Sequence, residues 1–171
     1  MNDAAAPDRS AAKAILTAAF VAGTLDILAA FALYALRGVP ATRILQSIAA
    51  GLLGPAAFEG AARTAWLGLG LHFAIMTVAV GVYYLASRFL AMLRQRWIAS
   101  GVIFGLAMFT FMTYIVLPLS ANPPRGFDPW LLLIVAAIHV ICVGLPVAFI
   151  VARYPGETPP TFPNSHQRVD Y

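Results

Sequence analysis

Three ionisable side chains lie inside long apolar runs of this sequence. Asp26 stands in GTLDILAA, His72 in GLGLHF and His139 in AAIHVICVG. A carboxyl group beside imidazoles can relay protons, hold a divalent metal ion or hydrogen-bond across a helix interface as structural glue. His72 and His139 could also be the two axial ligands of one b-type haem. The residue types alone leave all four interpretations open.

The composition is that of a membrane protein. Of the 171 residues, 61% are hydrophobic and 11% are charged, whereas a soluble domain carries about 25% charged residues. The eleven Lys and Arg residues stand at the ends of apolar runs rather than in one patch, which argues against a nucleic-acid partner. Cys142 is the only cysteine, so an internal disulfide and a multi-cysteine metal site are excluded.

Four runs are long enough to cross a bilayer, whose hydrocarbon core of roughly 30 Å takes about 20 apolar residues in a helix. They are residues 14–36, 64–87, 97–119 and 130–152. None shows the alternation of a barrel strand, and the first is longer than the apolar region of a signal peptide. The sequence therefore predicts an all-α, polytopic integral membrane protein with four transmembrane helices in a bundle.

The ionisable residues share one depth in these predicted helices. At about 1.5 Å per residue, Asp26, His72 and His139 each lie about 12 to 15 Å from the helix end on the side of the membrane away from the termini. Thr110 lies at a similar depth in the third helix. Alanines and glycines share the face of Asp26, which indicates that it faces protein. We therefore predict an intramembrane polar cluster of Asp26, His72, His139 and Thr110, with Asp26 hydrogen-bonded to one of the histidines.

The connection between the first two spans contains a further helical pattern. Residues 43–53, RILQSIAAGLL, predict a short amphipathic helix on the outer membrane surface. A re-entrant segment that lines a cavity is the alternative. Its predicted apolar face carries Ile44, Leu45, Ile48, Leu52 and Leu53, and its polar face carries Arg43, Gln46 and Ser47.

Basic residues predict the orientation. Four spans place both termini on one side, which holds most of the Lys and Arg residues and is therefore expected to be cytoplasmic. Residues 1–13 and 153–171 are predicted cytoplasmic tails, the second disordered because it is rich in proline and poor in apolar residues. The terminal side holds Arg9, Lys13, Arg88, Arg94, Arg96, Arg153 and Arg168, and the other side holds Arg37, Arg43, Arg63 and Arg125.

Two features inside the spans predict local packing. Gly101 and Gly105 form a GxxxG pair, which permits a close helix contact within the bundle or between protomers. Pro146 lies inside the fourth span and predicts a kink with a freed carbonyl near residue 142. Pro118 marks the exit of the third span.

The motifs GTLD, RILQSIAAGLLG, GLGLHF, VLPLSA and HVICVGLP resemble those of small bacterial four-helix inner-membrane proteins of unknown function. The resemblance covers about residues 12 to 153 and implies a bacterial cytoplasmic membrane but no activity, cofactor or substrate. No nucleophile–base pair, phosphate loop or HExxH motif is present, so an enzyme is not favoured. We expect a non-enzymatic accessory, sensor or small permease component in the lipid bilayer, as a homo-oligomer or with a membrane-complex partner. The alternatives are a haem- or metal-binding redox subunit and a proton-coupled transporter.

Overall fold

The computed structural model describes residues 9–123, 126 and 128–154, apart from the side chain of Arg9. This part of the chain is helical and contains no strand. Four of its helices are long and apolar enough to cross a membrane, as the sequence predicts. The predicted tail from residue 155 onwards and residues 1–8 lie outside the described residues.

The described part of the chain forms six helices in succession. Two of the long helices contain a π-helical turn, at Met112–Val116 in α5 and at His139–Gly144 in α6, and a 3₁₀ turn, Gly54–Glu59, follows α2. The four predicted spans overlap α1, α3, α5 and α6, and the bounds agree in α5. The helices are α1 (Arg9–Ala35), α2 (Ala41–Leu53), α3 (Ala61–Phe89), α4 (Met92–Gln95), α5 (Trp97–Leu119) and α6 (Pro129–Arg153).

The main core lies where α1 packs against α3 and α6. The α1 side of this core is built from alanines at helical spacing, and Ala14, Ala18 and Ala22 have no exposed surface. Small side chains let helices approach closely, which is how packing is gained where lipid supplies no hydrophobic driving force. The other two helices contribute mostly larger residues. They are Met76, Val80, Tyr83 and Tyr84 from α3, and Val143, Val147, Ala148 and Val151 from α6.

Glycines bring α5 and α6 into main-chain contact. A Cβ atom on Gly105 would lie 2.6 Å from Val140 Cα, and one on Gly101 would lie 2.9 Å from Gly144 O. A Cβ atom on Gly144 would overlap Gly101 O. The GxxxG pair is thus used inside the chain, between α5 and α6.

Each π-helical turn precedes a Leu-Pro pair. Leu117–Pro118 follows the turn in α5, and Leu145–Pro146 follows the turn in α6. Proline lacks a backbone N–H, and its ring would clash with the carbonyl four residues earlier in a regular α-helix. The wider turn upstream relieves that clash while the helix continues. The irregularity predicted at Pro146 therefore takes the form of a π-helical turn that begins at His139.

Helix α2 packs against the first turns of α3, and this contact corrects the predicted position of one residue. Gln46, predicted on the polar face, is buried, and its Nε2 donates to Ala61 O at 3.0 Å. Of the predicted apolar face, Ile44 is buried, whereas Leu52 and Leu53 are 64% and 47% exposed, as side chains turned to lipid would be. Ala49 and Ala50 are also buried, and the two helices meet so closely that a Cβ on Gly68 would overlap Leu45 O.

A hydroxyl network fixes the α4 connection between α3 and α5. The Tyr83 hydroxyl donates to Ser100 Oγ at 3.0 Å, and Ser100 Oγ donates to Leu93 O at 2.7 Å. Both hydroxyl residues are buried, so these bonds satisfy groups that would otherwise be costly inside the protein. The Tyr83 ring also contacts the Phe104 ring, with centroids 4.8 Å apart. This contact holds α3 and α5 together at their α4 ends.

On the side of the molecule away from α4, an ion pair joins the end of α1 to the start of α6. Arg37 Nη2 donates to Asp128 Oδ2 at 3.3 Å, and Asp128 Oδ1 accepts from Trp130 N as the N-cap of α6. The hydrogen bond from Arg37 holds the pKa of Asp128 below its usual value. Since a lowered pKa keeps a carboxyl ionised further into acid, the pair is lost only as the pH falls through that lowered value.

Candidate intramembrane polar site

The three ionisable residues lie in one layer at the edge of the main core. The last core members toward this layer are Ala22 in α1, Met76 in α3 and Val143 in α6. Asp26, His72 and His139 each lie four residues beyond that member, which is about 6 Å along each helix. All three side chains are half-buried, whereas the core members are buried. The layer thus lies next to the main core.

His72 links α3 to α1. Its Nε2 lies 2.9 Å from Gly23 O, and because a carbonyl only accepts, Nε2 carries the proton of this bond. Phe73 packs beside it: a Cβ atom on Gly23 would lie 2.8 Å from Phe73 Cε1. The absence of a side chain at Gly23 therefore leaves the carbonyl within reach of the imidazole. Nδ1 of His72 remains the acceptor nitrogen of the ring.

Asp26 lies three residues after Gly23, and the predicted Asp–His hydrogen bond is not present. Across the described residues, no group forms a hydrogen bond or ion pair with the Asp26 carboxylate. Both histidines bind main-chain carbonyls instead. The titratable group within electrostatic reach of Asp26 is the Cys142 thiol of α6. The carboxylate thus faces the packed helices without a bond to any of them.

His139 is held by its own helix. Nδ1 lies 2.9 Å from Val135 O, four residues earlier, and the ring meets Phe109 of α5 edge to face at 5.9 Å. The Nδ1 proton is therefore committed to Val135, which leaves Nε2 as the acceptor. Because the π-helical turn begins at His139, the ring stands where the regular hydrogen-bond pattern of α6 changes.

Thr110 does not belong to the layer, although its depth predicted it there. Its side chain is exposed, and its hydroxyl donates to Leu106 O in the same helix at 2.8 Å. Depth was the only basis for including Thr110, and depth does not determine which face of a helix a residue occupies. The buried threonine of α5 is Thr113, which is 5% exposed and lies in the π-helical turn. The spacing of small residues Gly101, Gly105 and Thr113 marks the packed face and could have identified it.

The arrangement of the layer defines the chemistry available to it. Within the described ranges, no three His, Cys, Asp or Glu residues are grouped to hold a metal ion. Each imidazole has one nitrogen bonded to a main-chain carbonyl and one acceptor nitrogen. Asp26 adds a carboxylate, whose oxygens can accept hydrogen bonds. No family model, curated protein or solved structure matches the chain.

Proposed function

We propose that this protein is a non-enzymatic accessory, sensor or permease component of a bacterial cytoplasmic membrane, and that it works by proton binding at Asp26. The observation that carries the proposal is the half-buried Asp26 carboxylate, which has no hydrogen-bond partner among the described residues. A charged Asp at the centre of a spanning helix costs about 2.5 to 3.5 kcal/mol on insertion scales. Because no hydrogen bond or ion pair within the described residues offsets this cost, a functional role for Asp26 is favoured.

The contacts of the layer argue against a purely structural role for Asp26. A structural Asp would hydrogen-bond across a helix interface and so fix the register of two helices. Here His72 makes the bond between α3 and α1, through Gly23 O. The titratable group within electrostatic reach of Asp26 is the Cys142 thiol of α6. A carboxylate that bonds to no neighbouring helix suits a sensor or a proton-coupled permease component better than a structural role.

A difference infrared experiment tests proton binding. We expect the protein in liposomes to show a carboxylic-acid carbonyl band on acidification that is missing in Asp26→Asn, because an amide cannot take up a proton at these pH values. Glu59→Gln is the matched control, since Glu59 is an exposed carboxyl in the 3₁₀ turn. It should leave that band unchanged. If Asp26→Asn has the same difference spectrum as the wild type, Asp26 does not titrate and the proposal fails.

The membrane arrangement is part of the same proposal. The four spanning helices form one bundle, α2 lies at the outer surface, and both termini are cytoplasmic. The excess of Lys and Arg on the side of the termini and of α4 supports this orientation. The guanidinium of Arg43 lies 3.9 Å from the centre of the Phe58 ring, and Arg43 is exposed. The charge of α2 is therefore kept out of its apolar contact with α3, which fits a helix at the membrane surface.

Reporter fusions test the orientation. Alkaline phosphatase is expected to be active when fused after Ala62 and inactive when fused after Arg96, because the enzyme requires an oxidising compartment for its disulfides. A cytoplasmic reporter fused at the same two positions should show the opposite pattern. Activity of alkaline phosphatase after Arg96 alone would invert the proposed orientation.

A further inference from the structure

The Asp26 carboxylate needs a polar partner that the described helices do not supply. It forms no hydrogen bond or ion pair with any described residue. Carboxylates within spanning helices pair with other groups or face a water-filled space, because an ionised carboxylate without either is costly. Water is therefore the partner that remains for Asp26, and the packing of the helices determines the side of the membrane from which water arrives.

The main core closes the α4 side of the layer that contains Asp26. In α1, Ala14, Ala18 and Ala22 occupy successive turns on this side, and none of them has exposed surface. Val147 and Ala148 of α6 belong to the same core and also have no exposed surface. Interiors packed in this way contain few voids that could hold a water molecule, and apolar voids stay dry. Water therefore has no path to the layer through the core.

On the side away from α4, α1 and α6 are not packed together. Among the described residues of α1, none after Ile27 is buried, and in α6 none before Val143 is buried. Helix α1 packs against α6 from His139 onward, whereas the first segment of α6, Pro129–Ile138, packs mainly against α5. The residues buried on this side belong to the α2–α3 contact and, at Thr113, to α5. The layer is therefore not closed by a core between α1 and α6 on this side.

The space between α1 and α6 extends from the layer to the membrane surface. Ala30 lies one turn beyond Asp26 on the same face of α1, and it is half-buried. Its small side chain leaves room beside the carboxylate. Arg37, just beyond the end of α1, pairs with Asp128 at the start of α6 at 3.3 Å. Since Arg37 follows Asp26 by eleven residues, the distance from the layer to this exposed ion pair is about 16 Å.

We infer that water reaches Asp26 between α1 and α6 from the side of the membrane away from α4, and that it does not reach Asp26 from the α4 side. This one-sided access deepens the proposed function, on which it rests, because it names the side whose protons Asp26 binds. In the proposed orientation that side is the outer one. A sensor or permease component with this access responds to the pH of the outer compartment and not to the pH of the cytoplasm.

Cys142 is a native probe of this access. It is the only cysteine, it is half-buried, and it lies within electrostatic reach of Asp26. A membrane-impermeant cationic methanethiosulfonate is added to right-side-out and to inside-out membrane vesicles. Two reference variants in a Cys142→Ala background mark the two sides of the protein, Glu59→Cys in the 3₁₀ turn and Met92→Cys in α4, and both positions are exposed.

Cys142 should be labelled in the vesicles that label Glu59→Cys and not in those that label Met92→Cys, because the charged reagent follows the water. The references turn with the protein, so this result does not depend on its orientation in the membrane. Labelling of Cys142 from the α4 side, from both sides or from neither side would overturn one-sided access.

A cysteine that faces lipid at the same depth is the matched control. Ile141 precedes Cys142 and is 62% exposed, so Ile141→Cys in the Cys142→Ala background places a thiol on the outer surface of α6. It should not be labelled from either side, because lipid excludes a charged reagent. Equal labelling rates of Ile141→Cys and Cys142 would contradict a water path to the layer.

A ring at position 30 tests the course of the path. Ala30→Phe should slow the labelling of Cys142 about tenfold, a rise of about 1.4 kcal/mol in the barrier. Ala32→Phe is the matched control, since Ala32 is an exposed alanine on another face of α1, and it should leave the rate unchanged. The Tm of each variant in detergent shows that it is folded. Equal labelling rates in the two variants would overturn access between α1 and α6.

Labelling of Cys142 and the infrared band of Asp26 are separate measurements. One-sided labelling without the band contradicts proton binding at Asp26 but supports the access path. The band together with labelling from both sides or from neither contradicts one-sided access but supports proton binding.

Discussion

Gly144→Ala is expected to destabilise the protein by about 3 kcal/mol, near the upper end of the usual range for overpacking. The added Cβ would overlap Gly101 O and would lie 2.7 Å from Gly105 N and 2.9 Å from Gly105 Cα. All three atoms belong to the main chain, so no side-chain rotation can relieve the contact. The methyl group fits only if α5 and α6 move apart, which weakens the packing of α5 along its whole contact with α6.

The expected measurement is the Tm in detergent, which should fall by about 6 °C or more for a chain of this size. Gly70→Ala and Gly81→Ala are matched controls, because a Cβ at either position meets no atom within 4 Å. These two should unfold at the wild-type temperature or above it, since alanine favours a helix over glycine by up to about 1 kcal/mol. If Gly144→Ala and Gly81→Ala unfold at the same temperature, the close approach of α5 and α6 is wrong.

The spanning helices could be predicted because their signal is local. A run of about 20 apolar residues has few alternatives in a membrane, where every backbone group must be bonded within the chain. The predicted run 97–119 has the bounds of α5, Trp97–Leu119. Helix α1 begins earlier than the run predicted from residue 14, because a helix continues past the apolar region through residues such as Lys13.

The partners of polar side chains could not be predicted, because they are main-chain atoms. His72 bonds to Gly23 O and His139 to Val135 O. Every helical residue offers a carbonyl with a spare lone pair, so the sequence contains no marker for the one that is used. Complementary side chains such as Asp26 and a histidine suggest a pair more strongly, and that suggestion proved wrong here.

The faces of α2 and α5 depended on packing that the local pattern does not contain. In α2 the pattern predicted Gln46 on the polar face, but α3 lies so close that Gln46 is buried and bonds to Ala61 O. In α5 the residue buried near the π-helical turn is Thr113 rather than Thr110. Amphipathic periodicity indicates that a helix has two faces, and the neighbouring helix determines which residues are buried.

Asp26→Leu is expected to raise the stability of the protein, the reverse of what a bonded carboxylate would do. A bonded Asp26 would leave its partner unsatisfied when removed, at a cost of about 1 to 3 kcal/mol. Since no described residue bonds to its carboxylate, substitution removes a costly group and adds apolar packing at the edge of the core. A charged Asp at a helix centre costs about 2.5 to 3.5 kcal/mol. Because Asp26 is half-buried, we expect a gain of about 1 to 2 kcal/mol.

Three variants separate the contributions when their Tm values are measured in the same detergent. Asp26→Leu should have the highest Tm, Asp26→Asn should lie between it and the wild type because an amide is neutral but polar, and Glu59→Gln should match the wild type. A gain of about 1 to 2 kcal/mol corresponds to about 2 to 8 °C for a chain of this length. A lower Tm for Asp26→Leu would show that the carboxylate holds helices together. A higher Tm combined with loss of the titrating band would show a residue retained for function at the expense of stability, the trade-off typical of functional sites.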